Sequence, residues 1–156
     1  MTNDEIIDQV VQNIAKALQK KDRGMRFKPA NPRPDGMSEN NDCVVRALSL
    51  AFNLPYVTVH DACAASGRRP RRGMFRSQTD QAIRLLTSKN DASGSTFPYR
   101  NHRPTFAQFA AMHPEGRYIV IKRGHAVALI DGVYHDMYSS AACGARSRVQ
   151  YYYRAA

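Results

Sequence analysis

Cys43 stands in the run Asn40-Asn41-Asp42-Cys43-Val44-Val45-Arg46-Ala47-Leu48, and His125 opens Gly124-His125-Ala126-Val127-Ala128-Leu129-Ile130-Asp131-Gly132-Val133-Tyr134-His135-Asp136. The first run reads as the start of a helix and the second as a hairpin. A thiol at a helix N-terminus faces the positive end of the dipole and several unpaired N–H groups, and both favour the thiolate. An imidazole beside it lowers the thiol pKa further, and a carboxylate on the far ring nitrogen holds the tautomer. Such a set is a nucleophile, its base and an orienting acid. The Cys43 N–H can serve a developing oxyanion, with the amide of Asn40 or Asn41 as a second donor.

The third member follows from register. If Asp131-Gly132 is a two-residue hairpin loop, Ile130 faces Val133, Leu129 faces Tyr134, Val127 faces Asp136 and His125 faces Tyr138. Alternate residues share a face, so His125 and Val127 point the same way and Asp136 lies diagonal to His125 on that face. His135 points to the opposite face and is the poorer candidate.

The elements that must position these residues can be read outward from them. Asp42 is a good N-cap for a helix running to about Asn53, and Pro55 suits the first turn of a third helix that Gly67 stops. Upstream, Thr2 and Glu5 have capping-box spacing, and Ile6, Ile7, Val10, Val11, Ile14 and Leu18 make one apolar stripe, closed by Lys20, Lys21 and Arg23. Between these helices, Pro29, Pro32, Pro34 and Gly36 mark a linker. Ser77 caps a short helix through Ile83, Leu85 and Leu86, and residues 91–103 are polar and irregular. Thr105 opens a last short helix carrying Phe106, Phe109 and Met112. The period then changes to strands over 117–122, 125–130, 133–138 and about 148–153. Helices first and then an antiparallel sheet define an α+β domain.

At 156 residues with 43% hydrophobic content, the chain has the size and composition of one globular domain. Its apolar runs are too short to cross a bilayer, and the acidic N-terminus does not resemble a secretory signal. Three cysteines, Cys43, Cys63 and Cys143, lack metal-site spacing and suit a reducing compartment. The expected location is therefore cytoplasmic, or a host cytoplasm or virion if the protein is phage-encoded. No metal or organic cofactor is implied. The formal charge of +10, from 23 Lys and Arg against 13 acids, points to an anionic partner. Arg68, Arg69, Arg71, Arg72 and Arg76 cluster in a Gly- and Pro-bearing loop. That loop is either a solvated surface or a contact to nucleic acid or an acidic protein.

Asn41-Asp42-Cys43 opening a helix, a Gly-His-Ala-Val-Ala strand, and a turn to an Asp-bearing strand together resemble the papain-like cysteine peptidase superfamily, in particular its small bacterial and phage-type members. The resemblance covers residues from about 40 to 153. It implies a papain-like α+β fold with N-terminal helices packed on a small antiparallel sheet, Cys43 as nucleophile, His125 as base and Asp136 as orienter. Met37 occupies the approximate place of that family's glutamine oxyanion donor, which leaves Asn40 or Asn41 for the role. The expected organisation is an N-terminal amphipathic helix over 1–24, a linker over 25–41 and the papain-like domain over 42–156. The expected activity is hydrolysis of a peptide, isopeptide or amide bond in a peptide or protein substrate. The alternative is a non-catalytic basic protein of the same fold that engages nucleic acid or an acidic host or virion protein.

Blander roles compete for the remaining residues. Cys63 belongs to an apolar helical stripe and Cys143 to a loop. Tyr151, Tyr152 and Tyr153 either alternate between core and surface in a strand or stack on bases, and the strand is preferred. His60, His102, His113 and His135 are assigned no role.

Overall fold

The computed structural model describes residues 2–19, 25–90, 92–137, 144 and 146–155, with the side chains of the first helix described through residue 13. Five helices accompany six strands among these residues. They are α1 (Asn3–Gln19), β1 (Arg26–Pro29), α2 (Cys43–Phe52), α3 (Tyr56–Ala65), α4 (Arg76–Thr87), β2 (Ser95–Thr96), α5 (Phe106–Met112), β3 (Arg117–Lys122), β4 (His125–Ile130), β5 (Val133–Asp136) and β6 (Tyr151–Arg154), with a 3-10 turn at Arg100–His102. The architecture is α+β.

The strands form one mixed sheet in the order β1-β5-β4-β3-β6-β2. Asp131 and Gly132 both take positive φ, 48° and 77°, as a two-residue hairpin loop of the twist-matched kind requires. Ile130 accordingly pairs with Val133, Leu129 with Tyr134 and Ala128 with His135. The expected antiparallel sheet is corrected at one edge. Arg26–Pro29, expected within a linker, runs parallel to β5, with Pro29 opposite Asp136. A proline is tolerated there because an edge strand need not donate on its open side. β2 is a further short edge strand in a segment expected to be irregular, and it pairs with Tyr151 and Tyr152 of β6.

Side-chain alternation divides the core between the two faces of the sheet. Ile119, Ile121, Ala126, Ala128 and Tyr153 pack with Val45, Leu48, Val59, Cys63 and Ile83 of α2, α3 and α4. Tyr118, Val120, Val127, Leu129 and Tyr134 pack with Phe106 and Phe109 of α5. Helices thus cover both faces, not one. α1 lies along α5 and begins with the expected capping box, Thr2 N–H to Glu5 Oε2 at 2.6 Å and Glu5 N–H to Thr2 Oγ1 at 3.2 Å. Its Ile6, Ile7, Val10 and Val11 remain exposed. The expected basic close of α1 at Lys20, Lys21 and Arg23, and the side chains of Ile14 and Leu18, lie outside the described residues.

Local signals place most helix ends. Asn53 closes α2 in the left-handed region, and Thr105 and Gln108 form a reciprocal capping box on α5. Ser77 does not cap α4, whose N-cap is Phe75 and first residue Arg76, two residues earlier than a Ser77 cap would give. Gln78 Oε1 accepts from Phe75 N–H at 2.9 Å and so fixes the earlier start. Arg148, the expected start of the last strand, makes only an isolated bridge to Thr105.

Candidate active site

α2 begins at Cys43 and runs against β4, so the nucleophile candidate meets the first residues of that strand. The thiol is half-buried, and the His125 ring and the Ala126 N–H lie near enough to act on the sulfur and favour the thiolate. His125 Nε2 lies 2.5 Å from Asp136 Oδ2. Since Nε2 is taken by the carboxylate, Nδ1 is the nitrogen left for Cys43. The three residues picked out by sequence therefore form one line, sulfur to imidazole to carboxylate.

Register alone does not account for this meeting. Strict alternation puts His125 and Asp136 in the set of Val127, Leu129 and Tyr134, on the α5 face, whereas Cys43 packs on the α2 face. The expected pairing of Val127 with Asp136 is absent, because the β4–β5 ladder ends at Ala128 and His135. Asp136 pairs instead with Pro29, and its carbonyl accepts from Ala30 N–H at 2.7 Å. His125 and Asp136 are terminal residues of their strands, where side chains are no longer bound to one face. Both turn to the first turn of α2. Tyr138, the expected partner of His125, lies outside the described residues.

A buried ionic chain stands behind the carboxylate, and sequence reasoning missed it. Arg46 is 4% exposed, and its Nη1 donates to Asp136 Oδ1 at 2.8 Å while its Nε donates to Asp42 Oδ1 at 3.2 Å. Asp42 Oδ2 accepts from Tyr56 Oη at 2.7 Å and from Arg33 Nη1 at 3.3 Å. Asp42 occupies the N-cap position of α2 but makes no side-chain cap bond. Its carboxylate is drawn into the ionic chain, and the N–H groups of the first turn, Cys43 among them, are left uncapped. The available signal was Arg46 itself, a charge on the buried side of an apolar helix and four residues after Asp42.

The electrostatics favour an ion pair. Burial raises the Cys43 pKa, but the hydrogen bond and charge of His125, the Ala126 N–H and the charge of Arg46 outweigh it and hold the thiol below its ordinary value. Burial lowers the His125 pKa, and the bonds to Asp136 and Cys43 with their charges overcome it, bringing the imidazole up to about 9. Burial likewise opposes ionisation of Asp136, yet His125, Arg46 and the Met137 N–H hold it below the usual carboxylate range. Cys63 is the contrast: fully buried among apolar groups, its thiol is pushed up to about 12. Cys143 lies outside the described residues.

The two oxyanion candidates separate. Asn41 sits at φ 48° and donates one of its two Nδ2 protons to the Arg71 carbonyl at 3.1 Å, so its amide braces a loop. Asn40 is tied through its backbone, N–H to Glu39 Oε1 at 3.0 Å and carbonyl from Arg68 Nη2 at 3.2 Å, and keeps an exposed side chain.

The arginine loop is not one patch. Arg68 is 5% exposed and ion-pairs with Glu39 Oε2 at 3.1 Å, which also meets His60 Nε2 at 2.8 Å. With burial opposing, Arg68, His60 and two backbone N–H groups bring the Glu39 carboxyl down to about 2. Arg71 bonds Ser38 Oγ, and Arg76 donates to the Gly94 carbonyl at 2.6 Å and stacks 4.8 Å above the Tyr151 ring. Arg68, Arg71 and Arg76 are therefore braces, Arg68 buried and the other two exposed, and only Arg69 and Arg72 of the five are exposed without a described side-chain partner. Tyr153 is buried with its hydroxyl on Asp80, and Tyr152 joins Phe109 and Tyr118 on the other face, as a strand and not a base-stacking platform requires.

No protein-family model, curated protein or solved structure matches the chain. No helix among the described residues is long and apolar enough to cross a membrane.

Proposed function

We propose that this chain is a papain-like cysteine hydrolase whose nucleophile is Cys43, with His125 as general base and acid and Asp136 as orienter. The observation that carries the reading is the line Cys43–His125–Asp136, in which Nε2 is held at 2.5 Å by the carboxylate and Nδ1 is left for the thiol. The placement of a cysteine at the start of a helix packed on a sheet, and of histidine and aspartate at strand ends, is what that fold requires of its site.

The steps follow from the charges. The thiolate attacks a peptide, isopeptide or amide carbonyl, forming the C–S bond, and the oxyanion is met by the Cys43 N–H and the Asn40 side chain. His125 gives its proton to the leaving nitrogen as the C–N bond breaks, leaving a thioester. It then takes a proton from water, whose oxygen attacks the thioester, and the C–S bond breaks to restore the thiolate and the acid product. Arg46 is a positioning residue: it occupies the second oxygen of Asp136, so the first stays on His125. A reducing compartment such as a cytoplasm suits this chemistry, since it keeps the thiol free.

The test is thiol labelling. Iodoacetamide at neutral pH should modify Cys43 far faster than Cys63 or Cys143, and His125→Ala should abolish the preference. Equal, slow labelling of all three thiols would sink the reading and leave the non-catalytic basic binder, which the unpartnered Arg69 and Arg72 favour.

A further inference from the structure

A groove of roughly 620 Å³ is formed at the arginine loop, lined by Gly67, Arg69, Arg72, Met74, Phe75 and Gln78 among others. Its construction separates two kinds of arginine. Arg68, Arg71 and Arg76 are spent on Glu39, Ser38, the Gly94 carbonyl and Tyr151, which fixes the loop. Arg71 takes φ 61°, a strained value that holds only because its N–H is bound by Glu39 Oε1 at 2.8 Å and its carbonyl by Asn41. Arg69 and Arg72, on either side, are left exposed in the groove. Between them and α4, Phe75 is 77% exposed, an unusual cost for a large aromatic ring beside two cations.

The groove is joined to the nucleophile by two routes. Asn41, bonded to Arg71, lies two residues before Cys43. Met74 of the groove packs against the same core cluster as Cys43. A chain lying in the groove would therefore be fixed relative to the thiol by the braces of the loop.

We infer that this groove is the substrate-recognition site of the hydrolase and takes an acidic polypeptide segment, its carboxylates paired with Arg69 and Arg72 and an apolar side chain laid on Phe75 and Met74. Guanidinium groups without internal partners form charge-assisted, bidentate bonds with carboxylates, and an aromatic ring beside them supplies the apolar anchor. The occupant is a polypeptide because the proposed hydrolase acts on a polypeptide carbonyl, and to that extent the inference rests on the proposed function. Binding itself is measured without turnover, so a thiol that fails to label and a groove that fails to bind are separate outcomes.

The experiment uses the full chain carrying Cys43→Ser, so that no bond is cut, and follows fluorescence anisotropy of a labelled peptide of alternating glutamate and leucine. The same peptide with glutamine for glutamate should bind about tenfold more weakly or worse, and Arg69→Gln/Arg72→Gln should lose a similar factor. Arg100→Gln/Arg123→Gln, which removes two exposed charges elsewhere, should bind as the parent does. Equal weakening by both double variants, or equal binding of the glutamine peptide, overturns the inference. So does tighter binding of labelled oligothymidylate that depends on Arg69 and Arg72, which would assign the groove to nucleic acid.

Discussion

Arg46 donates to Asp136 across 2.8 Å, and this pair links the helix that carries Cys43 to the carboxylate that holds His125. Arg46 lies three residues after Cys43 on α2, so one rigid element carries both the thiol and the counter-charge of Asp136. Removing one partner of a buried pair leaves a charge without compensation. Arg46→Met should therefore cost about 3–5 kcal/mol in urea unfolding. Arg46→Lys, which keeps the charge but not the fork, should fold and lose the fixed orientation of Asp136. In the lysine variant the Cys43–His125 preference in labelling should fall while the fold is retained. A variant that labels like the parent would show that Arg46 is structural alone.

Asp42 separates two magnitudes. As an ordinary helix cap its loss would cost about 1 kcal/mol. As the shared acceptor of Arg46, Arg33 and Tyr56 its loss strands buried donors, so Asp42→Ala should cost about 3–5 kcal/mol. A urea midpoint shift of only the smaller size would count against the buried chain.

The pH dependence has a worked sign. His125 has its pKa raised in the folded state, so its contribution is fully present below about 6.5 and is lost as pH rises through about 9. Cys43 has its pKa lowered, so its contribution is present above the ordinary thiol value and lost as pH falls. The two slopes oppose each other over the part of the span up to about 9 that lies above the lowered Cys43 pKa. Wild-type stability should fall less steeply there than that of Cys43→Ser, which keeps Asp136 beside His125 but loses the opposing thiolate. Urea midpoints at stepped pH measure both, and a wild-type decline as steep as the variant's would contradict the ion pair.

Asp136→Asn keeps the shape and removes the charge that stabilises the imidazolium. If the chain hydrolyses acyl bonds, turnover of an amide substrate should fall by about 10²–10⁴-fold, and the alkaline limb near 9 should move down. An unchanged limb would show that Asp136 does not set the protonation of His125.

The arginine loop divides by stability. Arg68→Ala breaks a pair whose side chains are each 2% exposed and should cost about 3 kcal/mol. Arg69→Ala, one residue on and exposed, should stay within about 0.5 kcal/mol. Thermal or urea unfolding of the two variants checks the contrast, and equal losses would contradict it.

Local chemistry made much of this legible. The Asp131-Gly132 hairpin, the Thr105 and Thr2 capping boxes, the start of α2 at Cys43 and the placing of His125 and Asp136 on one hairpin follow from residues within about a dozen positions of one another. β1 was not legible, because four residues with a terminal proline carry no alternation to separate a strand from a linker. What makes Arg26–Pro29 a strand is β5, more than a hundred residues away in the chain. Arg68 was equally opaque, since a run of arginines is a solvated loop by composition and becomes a brace only where Glu39 is folded beneath it.

The site shows the same division. Sequence by itself determined the thiol at a helix start, the imidazole and carboxylate on one hairpin, and the excess of positive charge, because propensity, turn chemistry and composition are local or additive. Tertiary structure alone decided that His125 and Asp136 leave the α5 face where the β4–β5 ladder ends, that Asp42 turns from its helix to Arg46 and Tyr56, and that two arginines of five are exposed without a described side-chain partner. Each of these depends on which charges are buried together. Burial multiplies the strength of an electrostatic contact by lowering the dielectric around it, and it is a property of the packed chain that no short segment carries.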